Sequence, residues 1–146
     1  MAHQFDTIVF VDAVQYMAHG PTDVQDLGCD LLVCSPYKFF GPHQGVLWGK
    51  YELLQKLEAY KVRPADNDPP GKFETGTQSH EGQAGTLGAI EYLEWIGESM
   101  GIKYRDNFNE LSGRRKNLHT AMQVIKDYEQ ILSERLISGL KIFPDL

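Results

Sequence analysis

Two short apolar runs, Thr7-Ile8-Val9-Phe10-Val11 and Leu31-Leu32-Val33-Cys34, constrain this chain more than any other feature in it. Both are rich in β-branched, aliphatic or aromatic residues and lack a polar/apolar alternation, which is the pattern of strands buried on both faces in a parallel sheet. Between them, Pro21 suits the first position of a short helix over residues 22–27, and Gly28 suits the position just past its end. Strand, short helix, strand is a βαβ unit, and such crossovers are right-handed in about 98% of cases. Both strands then deliver their C-terminal ends to one edge of the sheet. Residues 12–15 and 35–38 are therefore expected side by side, at the edge where open α/β sheets bind ligands.

The rest of the chain reads as an extension of this unit. Gly45-Val46-Leu47-Trp48-Gly49 predicts a third strand and residues 51–59 a helix, while the prolines and charges of residues 61–75 predict an extended surface loop. Helix resumes near His80, with Ser79 as N-cap and Glu81 in the first turn. Gly82, Gly85 and Gly88 stand in that helix at a cost of up to about 1 kcal/mol each relative to Ala. Their spacing predicts close approach by another backbone or a ligand. From Ile102 onward the text is helical with a break at Ser112-Gly113, and Leu118, Met122, Ile125, Ile131, Leu132 and Leu136 form one apolar face. The tract Arg114-Arg115-Lys116 reads as a solvated helix face, and residues 140–146 as the approach to a further strand.

Composition removes several classes. Fourteen Lys and Arg against twenty Asp and Glu give a net charge of −6, which argues against a nucleic-acid or anionic-membrane partner. No apolar run approaches the roughly 20 residues of a membrane span. His3, His19, His43, His80 and His119 show no metal-ligand spacing, so no metal site is expected. Two cysteines, Cys29 and Cys34, are too few for a disulfide framework, and a reducing cytoplasm is the expected compartment. Each sits beside or inside a buried strand and reads as a small inert hydrophobe.

The residues with chemical potential lie at the expected edge. Asp12 and Gln15 form Asp-x-x-Gln directly after the first strand, and Lys38 closes Ser35-Pro36-Tyr37-Lys38 after the second. A lysine partly desolvated at a sheet edge gives up its proton more readily, and its free amine can form an imine with a carbonyl. A nearby carboxylate suits pyridoxal phosphate, whose ring nitrogen needs an acidic partner to act as an electron sink. Gln15 can hydrogen-bond the ring hydroxyl, and Ser35 with the following turn's amides can receive the phosphate. An aspartate after a strand is ordinarily a turn residue and a lone loop lysine is ordinarily solvated. It is their pairing on adjacent strand ends that points to a site.

Three blocks occur in order: Val11-Asp12-Ala13-Val14-Gln15, the run from Cys29 through Ser35-Pro36-Tyr37-Lys38 to Gly41-Pro42, and Phe73-Glu74-Thr75-Gly76-Thr77-Gln78. Together they resemble the class V aminotransferases of pyridoxal-phosphate fold type I, most closely the cysteine desulfurase-like and selenocysteine lyase-like branch. The resemblance implies that Lys38 holds pyridoxal 5'-phosphate as an internal aldimine. It also implies Asp12 on the pyridinium nitrogen, Gln15 on the ring oxygen and Ser35 on the phosphate. Thr77 matches the threonine that reaches the cofactor of the neighbouring subunit, which implies a homodimer. Some positions depart from the family pattern: Tyr37 stands where histidine is common, Pro36 where a small residue is usual, and Gln78-Ser79 where Pro-Asn is common. The turn after Pro42 is also one residue shorter than usual.

The reading that follows is an α/β fold with a mostly parallel sheet and flanking helices, part of the large domain of a fold type I enzyme. Residues 1–139 are expected to be a partial cofactor-binding domain, and residues 140–146 the start of a connection to a small C-terminal domain. The resemblance implies a middle-third piece, without the upstream phosphate loop and ring-stacking aromatic or the downstream carboxylate-binding arginine and mobile nucleophilic cysteine. The expected function is cysteine desulfurase-like chemistry on a small amino-acid substrate through Lys38. The alternatives are an aminotransferase, lyase or epimerase of the same family, or a truncated, non-catalytic domain that self-associates.

Overall fold

A computed structural model describes residues 1–143. Its sheet has three strands in the order β1 (Phe10–Asp12), β2 (Leu31–Cys34) and β3 (Val46–Gly49). β1 and β2 are parallel, pairing Phe10 with Leu31 and Asp12 with Val33, and the ladder runs on through Ala13 N–H to Val33 C=O at 2.9 Å. β3 returns antiparallel to β2, pairing Leu31 with Gly49 and Cys34 with Val46. The sheet is thus mixed, and the reason lies in the connections. A parallel return needs a crossover of a dozen or more residues, whereas residues 35–45 hold only the 3-10 turn Pro36–Phe39 and a tight reversal.

The crossover between β1 and β2 contains helix α1 (Val24–Leu27). It begins later than Pro21 suggests because Asp23 takes the N-cap, its carboxylate accepting from Gln25 N–H at 2.9 Å. Gly28 ends it in the left-handed region at φ 60°. Helix α2 (Tyr51–Lys56) stops three residues before the predicted end. Buried Lys72, from the following loop, donates from Nζ to the C=O of Gln55 and Leu57 at 2.9 and 2.7 Å, satisfying carbonyls at the end of α2. Helix α3 (His80–Met100) starts where predicted, with Ser79 Oγ accepting from Gly82 N–H. The turn Ile102–Phe108 leads to helix α4 (Gly113–Leu140).

Leu32 and Cys34 of β2 face α3 and α4, forming a core with Phe39, Ala89, Leu93, Ile96, Ala121 and Met122. On the opposite face Leu54 of α2 lies against Leu31 and Gly49. Burial of the strands on both faces does not hold throughout: Phe10 and Leu47, which share that second face, are each 55% exposed. The helices on the first face cross through small residues. Gly97 meets the backbone carbonyl of Asn117, and Gly101 meets the methyl of the fully buried Thr120. The expected apolar face of α4 divides at this crossing. Leu118, Met122 and Ile125 pack on the core, whereas Ile131, Leu132 and Leu136 are exposed. Residues 140–143 complete the helix and a turn, and residues 144–146 of the predicted connection lie outside the described residues. No helix among the described residues is long and apolar enough to cross a membrane.

Asp30 ties together the end of the sheet opposite the ligand edge. Its Oδ1 accepts from Lys50 Nζ at 2.7 Å, and its Oδ2 accepts from Val9 N–H and meets His3 Nε2, both at 2.8 Å. Its backbone joins β1 and β3 as well, donating to Val9 C=O and accepting from Lys50 N–H. The Lys50 ammonium, followed by the Val9 amide and His3, holds the Asp30 carboxyl far below the usual carboxylate range. A lowered folded-state value contributes stability that is present above the unfolded value, about 3.8, and lost as pH falls through the folded one. Asp30→Asn is therefore expected to lower the urea midpoint at pH 7, with the gap to the parent chain closing below about pH 4, read from denaturation curves across pH. Gly97→Ala, which forces a methyl into the backbone of α4, is expected to cost about 1–3 kcal/mol in the same assay.

Candidate active site

The parallel pairing of β1 with β2 brings the first two segments of the predicted site to one edge. Asp12 is the last residue of β1, and its Oδ1 accepts from Val14 N–H at 2.9 Å in an Asx turn. That bond fixes the carboxylate beyond the strand and leaves Oδ2 available to a donor. Gln15 follows as the N-cap of the 3-10 turn Tyr16–Ala18, with its side chain exposed and not used in capping. Ser35, at the end of β2, is half-buried, and its hydroxyl does not cap the turn that it starts. Lys38 is exposed in that turn, which contacts the turn Tyr16–Ala18 across the edge.

The local fold of residues 35–45 explains why Lys38 points outward. In a 3-10 turn, residues three apart share a face. Pro36 and Phe39 take the inner face and are buried, so Tyr37 and Lys38 share the outer one. Gly41 N–H closes the turn on Pro36 C=O at 2.8 Å. A Cβ on Gly41 would sit 2.7 Å from Pro36 Cβ, so the position requires glycine. Lys38 Nζ lies 5.1 Å from the centroid of the Tyr37 ring, which stacks on His43 at 4.9 Å and 23°.

The glycines of α3 receive this segment. Gly82 faces the side chain of Gln44 and Gly85 that of Pro42, while Gly88 faces open space. The close approach predicted for them thus comes, at two of the three positions, from side chains of the turn after Lys38. Thr86 Oγ1 also reaches Gln44 Oε1 at 3.4 Å. Thr77 is exposed in the loop before α3, and no hydrogen bond joins it to Asp12, Gln15, Ser35 or Lys38. On the far side of the Lys38 turn, a cleft of about 590 Å³ opens between α1, α3 and α4, lined by Met17, Phe39, Leu93 and Leu118 among others. None of Asp12, Gln15, Ser35, Lys38 and Thr77 lines it.

An exposed carboxylate, carboxamide and primary amine and the hydroxyl of half-buried Ser35 thus lie on the segments at one edge, a set of groups that fits a ring with a basic nitrogen, a phenolic oxygen, a phosphate and an aldehyde. Contacts that the sequence reading did not foresee surround it. His19 Nδ1 meets Glu129 Oε1 at 2.9 Å, tying the segment after Gln15 to α4. The tract read as a solvated face is exposed at Arg114 and Arg115 and also makes surface pairs: Arg114 donates to Glu94 at 2.8 Å, and Arg115 pairs with Asp23. The Gln25 amide and then Arg115 hold the Asp23 carboxyl below its ordinary value. Aromatic rings at Phe40, Tyr92 and Trp95 form a ladder, with centroids 5.1 and 5.8 Å apart, that braces the Lys38 turn on α3.

The sequence model of the family Aminotransferase class-V matches residues 1–135. A cysteine desulfurase of Klebsiella pneumoniae (strain 342) is 31% identical over 159 aligned residues, covering 100% of this chain and 33% of that protein. A cysteine desulfurase of Yersinia pestis (strain Pestoides F) is 36% identical over 103 residues, covering 62% of this chain and 25% of that one. Among solved structures, the cysteine desulfurase CsdA (S-sulfonic acid) from Escherichia coli superposes with a TM-score of 0.54 at 30% identity, covering 77% of this chain and 33% of that chain. This chain therefore spans about a third of the length of the full-length relative that it matches end to end.

Cys29 and Cys34 are free and buried, and burial pushes the Cys34 thiol above its ordinary value. Neither suits a nucleophile, which must be accessible as thiolate. In the folded chain both are expected to react with a maleimide at least about tenfold more slowly than in urea, read by intact mass over time.

Proposed function

The chain belongs to the class V aminotransferase family, and from that premise we propose that it carries the pyridoxal 5'-phosphate site of a cysteine desulfurase-like enzyme acting on a small amino acid. The observation that carries this reading is the parallel pairing of β1 and β2, which delivers the segment after Asp12 and the turn holding Lys38 to one sheet edge. When bound, pyridoxal phosphate supplies an electron sink for the bonds around the substrate's α-carbon. Asp12 Oδ2, left free by the Asx turn, is the partner for the ring nitrogen and holds a proton there. Gln15 orients the ring through its phenolic oxygen, and the Ser35 hydroxyl donates to the phosphate. Lys38 Nζ anchors the aldehyde carbon. The same nitrogen, when free, would serve as the base for the proton at the substrate's α-carbon.

Thr77 extends this reading beyond one subunit. Exposed, and unlinked to the other four residues by any hydrogen bond, it is suited to donate to the phosphate held by a second copy in a homodimer. The sulfur-accepting thiol of the reaction is neither Cys29 nor Cys34, because both are buried. Two thiols left free rather than joined as a disulfide favour the cytoplasm as the compartment.

The test is to add pyridoxal phosphate to the purified chain, reduce with borohydride, and read intact mass and a peptide map. The expected result is a single covalent adduct on Lys38, absent in Lys38→Ala. Ser35→Ala is expected to weaken the apparent affinity about tenfold or more, the size of one hydrogen bond to a charged group. A folded chain that acquires no adduct, or one scattered over other lysines, would overturn the proposal in favour of a non-catalytic domain.

A further inference from the structure

Tyr37 and His43 have no role in the cofactor contacts above, yet the Tyr37 ring lies beside Lys38 and His43 stacks on that ring. The turn buries Pro36 and Phe39, which forces Tyr37 onto the outer face beside Lys38. The chain then reverses at Phe40, in the left-handed region at φ 72°, and at Gly41. This reversal brings His43 back over Tyr37, with the two rings 23° from parallel and 4.9 Å apart. Tyr37 is 43% exposed, no hydrogen bond holds its hydroxyl among the described residues, and its ring stacks on His43. The Lys38 ammonium lies 5.1 Å from the centroid of that ring, inside the range at which an aromatic quadrupole attracts a cation.

We propose that Tyr37 is a positioning residue for Lys38: its ring, steadied by His43, is where the lysine amine rests whenever no covalent bond holds it. This rests on the assignment of Lys38 as the cofactor's anchor, since that chemistry alternately binds the amine and frees it. A long side chain freed at an exposed edge otherwise disperses over many rotamers. A ring adjacent in sequence, fixed by a stack, keeps the charged amine at the edge to which it must return.

The test needs no cofactor. Trace labelling of lysines with acetic anhydride, followed by peptide mass spectrometry, reads the availability of the free Lys38 amine against an exposed reference such as Lys141. Tyr37→Leu, which keeps bulk but removes the ring face, is expected to raise relative labelling of Lys38 about 2–5-fold, the size of an exposed cation–π contact. Tyr37→Phe should label like the parent chain, because the ring and not the hydroxyl makes the contact. His43→Ala should fall between the two. The proposal is overturned if Tyr37→Leu labels like the parent, or if Tyr37→Phe labels like Tyr37→Leu. Circular dichroism confirms that each variant is folded, and both variant sites lie on the exposed side of the turn. The adduct experiment on the parent chain is scored separately. Loss of the Lys38 adduct with the labelling pattern intact would remove the cofactor reading and leave the contact, and the converse would remove only the resting position.

Discussion

The parallel pairing of β1 with β2 is the constraint on which the rest of the structure depends. Parallel strands place equivalent ends together, so the pairing of Asp12 with Val33 puts the residues after Asp12 and after Cys34 at one edge. An antiparallel pairing of the same two runs would have sent them to opposite ends. The unit is held at its other end by the Asp30 carboxylate, which accepts from Val9, Lys50 and the His3 ring while its backbone bonds to both neighbouring strands. A single side chain of this kind, shared by three strands and the N-terminal segment, locks register where the strands are only three or four residues long.

The second requirement is a firm support for the Lys38 turn. Its inner residues, Pro36 and Phe39, are anchored in the core, and its C-terminal arm leans on α3 at Gly82 and Gly85. Helix α3 is in turn held by the crossing with α4, where Gly97 and Gly101 let the two helices approach at backbone distance. Loose support would leave an exposed lysine free to wander. A short turn pinned from behind by proline and phenylalanine, and from the side by a glycine-lined helix, holds the Lys38 backbone in place.

The elements that were legible in the sequence are those set by local chemistry. The two apolar runs, the left-handed Gly28, the Ser79 cap and the break before Gly113 are written in residues that act within four positions of themselves. So was the delivery of the segments after Asp12 and after Cys34 to one edge, because the handedness of a crossover carries local pattern into tertiary placement. What escaped depends on contacts distant in sequence. The Gly97–Asn117 approach, the His19–Glu129 pair and the partners of Arg114 and Arg115 join residues that only the α3–α4 crossing brings together. The antiparallel return of β3 was missed for a different reason: residues 35–45 carry the signs of a turn, but the strand run gives no sign of direction. The Tyr37–His43 stack depends on the reversal at Phe40, a non-glycine residue in a glycine-like conformation, which no propensity marks.

The central claim is that four side chains on two turns make one binding edge. Backbone amide chemical shifts in isotope-labelled protein, followed as pyridoxal phosphate is added, test it most directly. The account predicts perturbations concentrated at residues 12–18 and 35–45, saturating together with one apparent affinity. Shifts that gather instead around the cleft between α1, α3 and α4, or that spread over exposed lysines with no common saturation, would contradict it.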